Sequence, residues 1–425
     1  MRHKEGFVSL EVQYIDGTKI ESAANKYSFV WRGSVEKHDK RLREKTDAVL
    51  RDIEQVIHDE QQEADTESTL PTEEFISRVE RIKERMDSEN LTKSHCKAIR
   101  KIESESIPKM KEYERHLTTM GERNSYSKSD PDATFMRMKE DAMLNGQLKP
   151  GYNVQIATEN QFITNYGIFQ RPTDTGTLID FLESFHKKYG LHSREIVADA
   201  GYGSQQNYEY MFEKGMIPYV KYNYFHKEQT RAFRNNPFLQ QNLKYDPSTD
   251  EFTCPAGKSM VPISCKNPKS ELGYRAHTQL YQASDCTLCP LRRQCYNAEE
   301  NRIIRVNHTL NEYKRTVREL LTSQRGMLHR SRRPIEPEAV FGHIKADRMF
   351  RRFRLRSLEK VNIEFGIVAL AHNIRKMATN TRLSSPNNDA LSQTGRCRSA
   401  KYPLATISQI TADGYIICKH KKEAA

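Results

Sequence analysis

Short strand-forming segments alternate with long polar segments in this chain of 425 residues. Apolar and polar residues alternate over residues 7–20, and strand patterns return over 152–169, 196–198 and 217–225. Between the first two of these segments, residues 34–117 are charge-dense and carry apolar residues at helical spacing. The order predicts an α/β protein: a mixed sheet flanked by helices, with a helical insertion after the first strand.

The remaining segments complete a division of the chain into six parts. A polar, loop-rich and cysteine-bearing segment precedes three predicted helices, and the tail is rich in Ser and Asn. The predicted parts are 1–33 (first core strand), 34–120 (helical insertion), 121–225 (core sheet), 226–302 (Cys-rich, zinc-ribbon-like insertion), 303–380 (C-terminal core helices) and 381–425 (poorly ordered tail).

The charge of the chain favours an anionic partner. The net charge is +12, with 68 Lys and Arg against 56 Asp and Glu. Residues 325–360 contain eleven basic and four acidic residues, a net charge of +7, and nine of the eleven are arginine. Clustered arginine suits bidentate phosphate contacts and favours nucleic acid over a merely solubilising surface.

Membrane insertion and secretion are not expected. No apolar run approaches the roughly 20 residues that a membrane-spanning helix needs. The first residues, MRHKEGFVSLEVQ, contain no apolar segment of the kind found in signal peptides. We therefore expect a soluble intracellular protein.

Three acidic residues occupy positions from which a metal site could form. Asp16 and Asp199 each end a predicted strand, and Glu338 begins a predicted helix on which Lys345 and Arg352 follow at intervals of seven residues. Carboxylates suit Mg²⁺, and two such ions about 3.5–4 Å apart support phosphodiester cleavage. Taken singly, however, an Asp-Gly pair is typical of a turn, and a Glu in the first helical turn complements the helix dipole.

Four longer segments, taken together, are far more specific. They are YIDGTKIESAANKYSFVWRG, SKSDPDATFMRMKEDAMLNGQLKPGYNVQIATE, IVADAGYGSQQNYEYM and EPEAVFGHIKADRMFRRFRLRSLEKVNIEFGIVALAHNIRKM. In this order, over about residues 8–378, the chain resembles the DDE transposases of bacterial insertion sequences.

The resemblance implies a ribonuclease-H-like core whose acidic triad is Asp16 in IDGT, Asp199 in ADAGYG and Glu338 in EAVFGHIK. It implies that these residues hold two Mg²⁺ or Mn²⁺ ions. Water would then cleave double-stranded DNA at the element's ends, and the freed 3′-OH would attack target DNA. Glu338 and Lys345 meet the family's Glu-x₆-Lys spacing, and we assign Lys345 and Arg352 to DNA binding. A bacterial cytoplasmic, nucleoid-associated protein, dimeric in its DNA complex, is also expected.

The sequence departs from the family pattern in two places. Only 15 residues precede Asp16, so we expect the usual N-terminal end-recognition domain to be missing. Four residues, rather than three, separate Arg333 from Glu338, and Arg330 stands where the pattern has Tyr. Arg333 is assigned to DNA binding on this weaker match. Asp130, Asp132 and Asp174 are interpreted as turn or capping residues.

Five of the eight cysteines fall within one segment. Cys286-x₂-Cys289 can place two thiolates on one Zn²⁺, with Cys295 and Cys254 completing a structural site, although Cys265 could replace Cys254. Similar transposases carry a comparable Cys-rich insertion. The alternative is a set of reduced cysteines with no metal.

Three functions remain open at this stage. The first is a metal-dependent transposase. The second is a truncated, inactive DNA-binding remnant of one, and the third is a nuclease of the same fold that cleaves without strand transfer.

Overall fold

The computed structural model describes residues 6–56, 70–85, 92–138, 146–270 and 273–384. The predicted tail lies outside these residues from position 385 onward. The strands are β1 (Val12–Glu21), β2 (Phe29–Trp31), β3 (Ser125–Ser127), β4 (Thr134–Arg137), β5 (Leu148–Glu159), β6 (Phe162–Phe169), β7 (Glu195–Ala198), β8 (Ile217–Val220), β9 (Lys244–Asp246), β10 (Glu251–Thr253), β11 (Ser259–Lys266), β12 (Thr278–Ala283) and β13 (Ile303–Val306).

The helices lie between these strands and after the last of them. They are α1 (Arg32–Val56), α2 (Thr72–Arg85), α3 (Lys93–Lys101), α4 (Ile107–Met120), α5 (Leu178–Tyr189), α6 (Gln205–Glu213), α7 (Arg231–Arg234), α8 (Arg292–Cys295), α9 (His308–Thr322), α10 (Gln324–Arg332), α11 (Ala339–Gly342) and α12 (Leu358–Ser384). Three further turns are π-helical: Ile102–Ser106, Pro334–Glu338 and His343–Asp347. No helix among the described residues is long and apolar enough to span a membrane.

The central sheet has the strand order β4-β5-β1-β7-β8, and β6 also pairs with β5. β1 runs antiparallel to β5 and parallel to β7, which is parallel to β8. Parallel pairing of β1, β7 and β8 requires crossovers, which the helices supply. The mixed α/β class predicted from the sequence is confirmed, and the sheet is compatible with a ribonuclease-H-like fold.

Two clusters of buried side chains hold helices against this sheet. In the first, α5, α6 and α9 pack on β1, β7 and β8 through residues such as Phe181, Met211 and Leu321. In the second, α11 and α12 pack on β5 through residues such as Val340 and Phe365. The second cluster fixes the helical segment that carries the third acid.

Helices α1, α2, α3 and α4 lie between β2 and β3 and share a hydrophobic cluster of their own. Arg78 crosses between two of them, with its guanidinium 2.6 Å from carboxylate oxygens of both Asp47 and Glu54. Helices therefore form in the region where they were predicted, while the boundaries 34–120 stay a prediction.

The Cys-rich segment is more regular than the sequence suggested. Instead of a loop-rich region it forms a five-stranded sheet with the order β13-β12-β11-β10-β9. Phe252, Met260 and Tyr281 are buried at its centre. The strands are short, and β11 buries Met260 alone among its eight residues, so apolar alternation was too weak to reveal them.

Two predicted element boundaries near the acids are wrong. β1 does not end at Asp16, because it pairs with β5 as far as Glu21 opposite Gly151. Glu338 does not begin a helix either. It closes the π-helical turn Pro334–Glu338, which continues directly from α10 through Arg333.

The predicted placement of Arg352 on the helix of Glu338 and Lys345 is also wrong. The helical run ends at Asp347, and Met349 has a positive φ of 54°. The chain then becomes extended, with Arg352 in an isolated bridge to Glu21. Burial of Phe353 in the second core cluster explains why the chain leaves the helix here.

Candidate active site

Asp16 and Asp199 lie on neighbouring parallel strands. β1 and β7 are in register with Tyr14 opposite Val197. Each acid stands two residues beyond this pair, Asp16 within β1 and Asp199 directly after β7. Because neighbouring strands are about 4.8 Å apart, this register brings the two carboxyl groups to the same place on the sheet.

The third acid, Glu338, arrives on the π-helical turn that follows Arg333. A π-helix repeats its hydrogen bonds from residue i to i+5, one residue more than an α-helix. Residues five apart therefore fall on the same side, and Arg333 donates from Nη1 to Glu338 Oε1 at 2.6 Å. The extra residue that separated this sequence from the family spacing is absorbed by the π-helical turn.

The Arg333 guanidinium contacts all three acids. Besides Glu338, it donates from Nη2 to Asp16 Oδ1 at 3.1 Å and lies 3.8 Å from Asp199 Oδ2. Its side chain is only 9% exposed, whereas those of Asp199 and Glu338 are 51% and 45% exposed. The three predicted acids are thus brought together, with a cation between them.

The acids line an open cleft of about 470 Å³. Its other walls come from β1 and from the helical run that ends at Asp347. The lining residues are Asp16, Thr18, Asp199, Arg333, Glu338, Phe341, Gly342, Lys345, Ala346 and Arg351. The open cleft leaves the half-exposed carboxylates of Asp199 and Glu338 accessible to an extended ligand.

Two cations at this site were missed from the sequence. Arg351 lines the cleft with an exposed side chain. Lys221 follows β8, the strand next to β7, and its Nζ lies 3.9 Å from Asp199 Oδ1. Burial lowers the pKa of Lys221, and Arg333 lowers it further, against the opposing effect of Asp199. Two features of the sequence could have revealed these two cations. Lys221 lies in the predicted strand 217–225, and Arg351 lies within the arginine cluster at residues 325–360.

Lys345 and Arg352, predicted to bind DNA, donate hydrogen bonds to oxygens of β1 and of the segment that follows it. Lys345 is buried and donates from Nζ to Thr18 Oγ1 and to Lys19 O, each at 3.1 Å. Arg352 donates to Ser22 O and to a second carbonyl two residues on, each at 2.9 Å. Both residues therefore fix the C-terminal segment against β1.

A polar cluster beneath the acids was also missed. A Cβ on Gly17, next to Asp16, would crowd Gln155 Nε2 and Asp174 Oδ1, so a larger residue there would require these side chains to shift. Gln155 Nε2 donates to Asp174 Oδ1 at 2.8 Å, and Thr175 Oγ1 donates to the carbonyl of Gly201 at 2.8 Å. The segment at Asp174 thereby joins β5 to the turn that follows Asp199. Asp174 is also a turn residue, because its main-chain carbonyl accepts a hydrogen bond from Thr177 N.

His329 joins α10 to the strands that carry the first two acids. Its Nδ1 is 2.9 Å from Tyr14 Oη, and its Nε2 is 3.0 Å from Glu195 Oε2. Arg325 Nη2 donates to the same carboxylate at 2.7 Å. Burial lowers the pKa of His329, the opposing effect of Glu195 notwithstanding. These contacts set the position of α10, and hence of Arg333, over the sheet.

Four cysteines of the β9–β13 segment surround one small cavity of about 20 Å³. They are Cys254, Cys286, Cys289 and Cys295, the set chosen from the sequence. Cys265 lies elsewhere, exposed on β11 with its Sγ 3.3 Å from His277 Nδ1. The geometry therefore favours Cys254 over Cys265 as the companion of the other three.

As the side chains stand, the described residues contain no group of three or more His, Cys, Asp or Glu arranged to hold a metal ion. The two predicted metal sites fit in chemistry nonetheless. The cleft offers hard carboxylate oxygens, which suit Mg²⁺, and the small cavity offers thiols around a space large enough for about one atom. Closer approach of the ligands would be needed at both.

Comparison with known proteins identifies the C-terminal part of this arrangement. Residues 253–378 match a family model described as the transposase DDE domain. The matched segment contains the four cysteines, Arg333, Glu338 and Lys345, whereas Asp16 and Asp199 lie outside it. No curated protein and no solved structure matches the chain. The match supports the prediction of a DDE transposase, and it covers residues 253–378 of the chain.

Proposed function

We propose that this protein cleaves DNA at the ends of an insertion sequence and joins the freed 3′ ends to target DNA. The observation that carries the proposal is the meeting of Asp16, Asp199 and Glu338 around one guanidinium in an open cleft. Asp16 lies in β1, Asp199 directly follows β7, and Glu338 lies in the helical run after α10, on what we propose is a ribonuclease-H-like core. The family match supplies the class of reaction.

The three carboxylates are the proposed ligands of two Mg²⁺ or Mn²⁺ ions. When bound, such ions activate the attacking oxygen and stabilise the leaving oxygen of a phosphodiester. Asp16 lies in the middle of β1, and its side chain is only 14% exposed. Asp199 and Glu338 are half exposed, and we propose that they face the DNA backbone from either side of Asp16.

DNA phosphates are the proposed partners of the cations around the cleft. Lys345, Arg352 and Arg333 were assigned from the sequence. Because Lys345 and Arg352 already donate to oxygens of the core, we add Arg351, which is exposed at the cleft wall, as a phosphate contact. Arginine contacts phosphate through paired N–H donors. Joining of two element ends calls for two copies of the chain in the DNA complex, so we propose a homodimer there.

Incubation with a labelled duplex that carries the DNA flanking the coding sequence tests this proposal. With Mg²⁺ we expect strand cleavage at the element's end, followed by products joined to a second duplex. Nicks without joined products would favour the nuclease of the same fold. Retention of DNA without any cleavage would favour the inactive remnant.

We further propose that Cys254, Cys286, Cys289 and Cys295 hold one structural Zn²⁺. Their shared cavity supports this, and so does Arg302, whose Nη1 donates to Cys295 Sγ at 3.0 Å. Zn²⁺ binds cysteine as the thiolate, and this guanidinium places a positive charge beside that sulfur. A zinc site would stabilise a segment whose strands are short and whose core is small.

Elemental analysis of the purified full chain tests the zinc proposal. We expect about one zinc per chain, lost in Cys289→Ser together with stability of the β9–β13 sheet. The matched control is Cys265→Ser, which removes a thiol outside the cavity and should retain the metal. A wild-type protein without zinc would contradict the proposal.

A further inference from the structure

Arg333 occupies the space between the acids that metal ions would need. Its guanidinium takes up Asp16 Oδ1 and Glu338 Oε1 in hydrogen bonds and stands 3.8 Å from Asp199 Oδ2. In this arrangement, the described part of the chain contains no group of three or more His, Cys, Asp or Glu side chains placed to hold a metal. The same oxygen lone pairs cannot serve the guanidinium and a metal ion together.

The Arg333 guanidinium is buried against the acids, but one of its N–H donors lacks a hydrogen-bond partner among the described residues. It is 9% exposed, so its attraction to the carboxylates is only weakly screened by water. Its Nε is buried without a hydrogen-bond partner among the described residues. A buried donor without an acceptor is costly, so contacts with the acids are what hold the side chain in this pose.

Charge explains why a cation is needed here before metals bind. Three carboxylates that share one cleft repel one another, and an isolated set would move apart or take up protons. One delocalised guanidinium with several donors can bridge all three at once. Divalent ions supply more charge at shorter range and bind the same oxygens.

We propose that Arg333 is a positioning residue that holds the three carboxylates together before the metals bind and is displaced by the metals. The inference rests on the proposed function, in which these acids are the metal ligands. Once displaced, the guanidinium lies free at the cleft wall, where it can donate hydrogen bonds to a DNA phosphate. The role combines the acid contacts seen here with the DNA contact expected from the sequence.

Binding of Mn²⁺ to the full-length protein, followed by electron paramagnetic resonance of the free ion, tests this role. Arg333→Gln removes the cation that competes with the metal for the carboxylates. Mn²⁺ then no longer has to break a charge-assisted hydrogen bond in order to bind, so we expect its affinity to rise by about tenfold. Arg333→Lys keeps the charge without the bridging geometry and should fall between the two. The matched control is Arg51→Gln, which breaks an ion pair with Asp47 within α1, outside the cleft lining.

Thermal unfolding gives a second readout. Without metal, Arg333→Gln should unfold at a lower temperature than wild type, and added Mn²⁺ should raise its midpoint by more than it raises that of wild type. A residue of purely structural importance would instead weaken Mn²⁺ binding when it is replaced.

Two other results would count against these ideas and can be told apart. Equal or weaker Mn²⁺ binding by folded Arg333→Gln and Arg333→Lys, with binding by wild type, overturns the role of Arg333 alone. Absence of Mn²⁺ binding in wild type and in both variants overturns the proposed metal site, and the role of Arg333 with it. Loss of binding in Asp199→Asn would place the bound ion at the acids.

Discussion

Arg333 and Glu338 show how a one-residue departure from a family spacing can leave geometry intact. Four residues separate them, and a π-helical turn brings them to within 2.6 Å of each other. Pro334 and Pro337 lie in this turn, and proline cannot donate the main-chain hydrogen bond of a regular α-helix. Sequence spacing alone made Arg333 the weakest assignment, yet its side chain contacts every acid of the site.

The acids themselves should be indispensable for cleavage. Asp16→Asn, Asp199→Asn and Glu338→Gln each keep the shape of the side chain but remove a charge that the metals need. We expect each change to lower the rate of strand cleavage by more than about 100-fold, since metal catalysis contributes several kcal/mol. Cleavage of a labelled duplex at saturating Mg²⁺ measures the effect.

Asp347→Asn is the matched control for these variants. Asp347 ends the same helical run, is largely exposed and lies outside the cleft lining. It should cleave at the wild-type rate. Normal cleavage by any one of the three acid variants would remove that residue from the catalytic set.

At the scale of elements, α12 is fixed to the sheet by polar as well as apolar contacts. Asn373 Nδ2 donates to Ile163 O at 2.9 Å, and its Oδ1 accepts from Ile163 N at 2.8 Å. The side chain therefore pairs with β6 as a neighbouring strand would. Both groups are buried, so each hydrogen bond matters more than one at the surface.

Asn373→Ala should destabilise the protein by about 2 kcal/mol, because two buried main-chain groups of Ile163 lose their partner. Chemical denaturation of the full chain measures the free energy of unfolding. Asn362→Ala, on the exposed side of the same helix, should change it by less than about 0.5 kcal/mol. Equal effects of the two changes would show that the Asn373 contacts contribute nothing specific.

His372, the neighbour of Asn373, should make stability depend on pH. Its Nε2 is 2.9 Å from Gln161 O, and its Nδ1 is buried without a partner among the described residues. Burial lowers the pKa of His372, with Arg348 among the neighbours that lower it further. The folded protein therefore favours the neutral ring, and the unfolded chain takes up the proton first as the pH falls.

The stability contributed by neutral His372 is thus complete above the usual pKa of about 6.5 and declines below it. Denaturation at pH 7.5 and pH 5.5 measures the loss. We expect the loss to be smaller in His372→Gln and unchanged in His38→Gln, in which an exposed histidine of α1 is replaced. A larger loss in His372→Gln would contradict the assignment.

Strong local patterns predicted elements well, and weak ones did not. The segment TLIDFLESFHKKYG has an amphipathic pattern and a terminal glycine, which together predict a helix. α5 spans Leu178–Tyr189 and is followed by Gly190 with a left-handed φ of 73°. At Asp16-Gly17, the sequence favoured a turn, whereas pairing with β5 carries the strand to Glu21. Tertiary pairing overrode local turn preference there, and no local pattern can report such pairing.

For the whole molecule, the site depends on contacts between segments that are very distant in the chain. Asp16 and Arg333 are 317 positions apart and hydrogen-bonded. Periodicity and composition could not bring these residues together, so the acid set was accessible only through resemblance. The supporting contacts of Asp174 with Gln155, and of Lys345 with Thr18, were not accessible from the sequence at all, because they depend on how the sheet and helices pack.

The distribution of charge over the molecule predicts how DNA binding should respond to salt. Each phosphate contact that is lost lowers the slope of log K against log salt by about 0.9 for duplex DNA. Arg351 is exposed at the cleft wall, whereas Lys345 is buried against Thr18 and Lys19. We therefore expect Arg351→Ala to lower the slope by about one phosphate's worth. It should lower the unfolding midpoint less than Lys345→Ala does, because it removes one hydrogen bond, from Arg351 Nε to Lys345 O at 3.1 Å.

Lys345→Ala should behave differently, because it breaks contacts within the core. We expect it to lower the unfolding midpoint, and any loss of DNA affinity should accompany that loss of stability. Arg100→Ala, an exposed change on α3 outside the cleft lining, is the control and should keep both the slope and the midpoint. Fluorescence anisotropy of a labelled duplex at several salt concentrations measures the slopes. An unchanged slope in Arg351→Ala would mean that DNA does not follow the cleft past this residue.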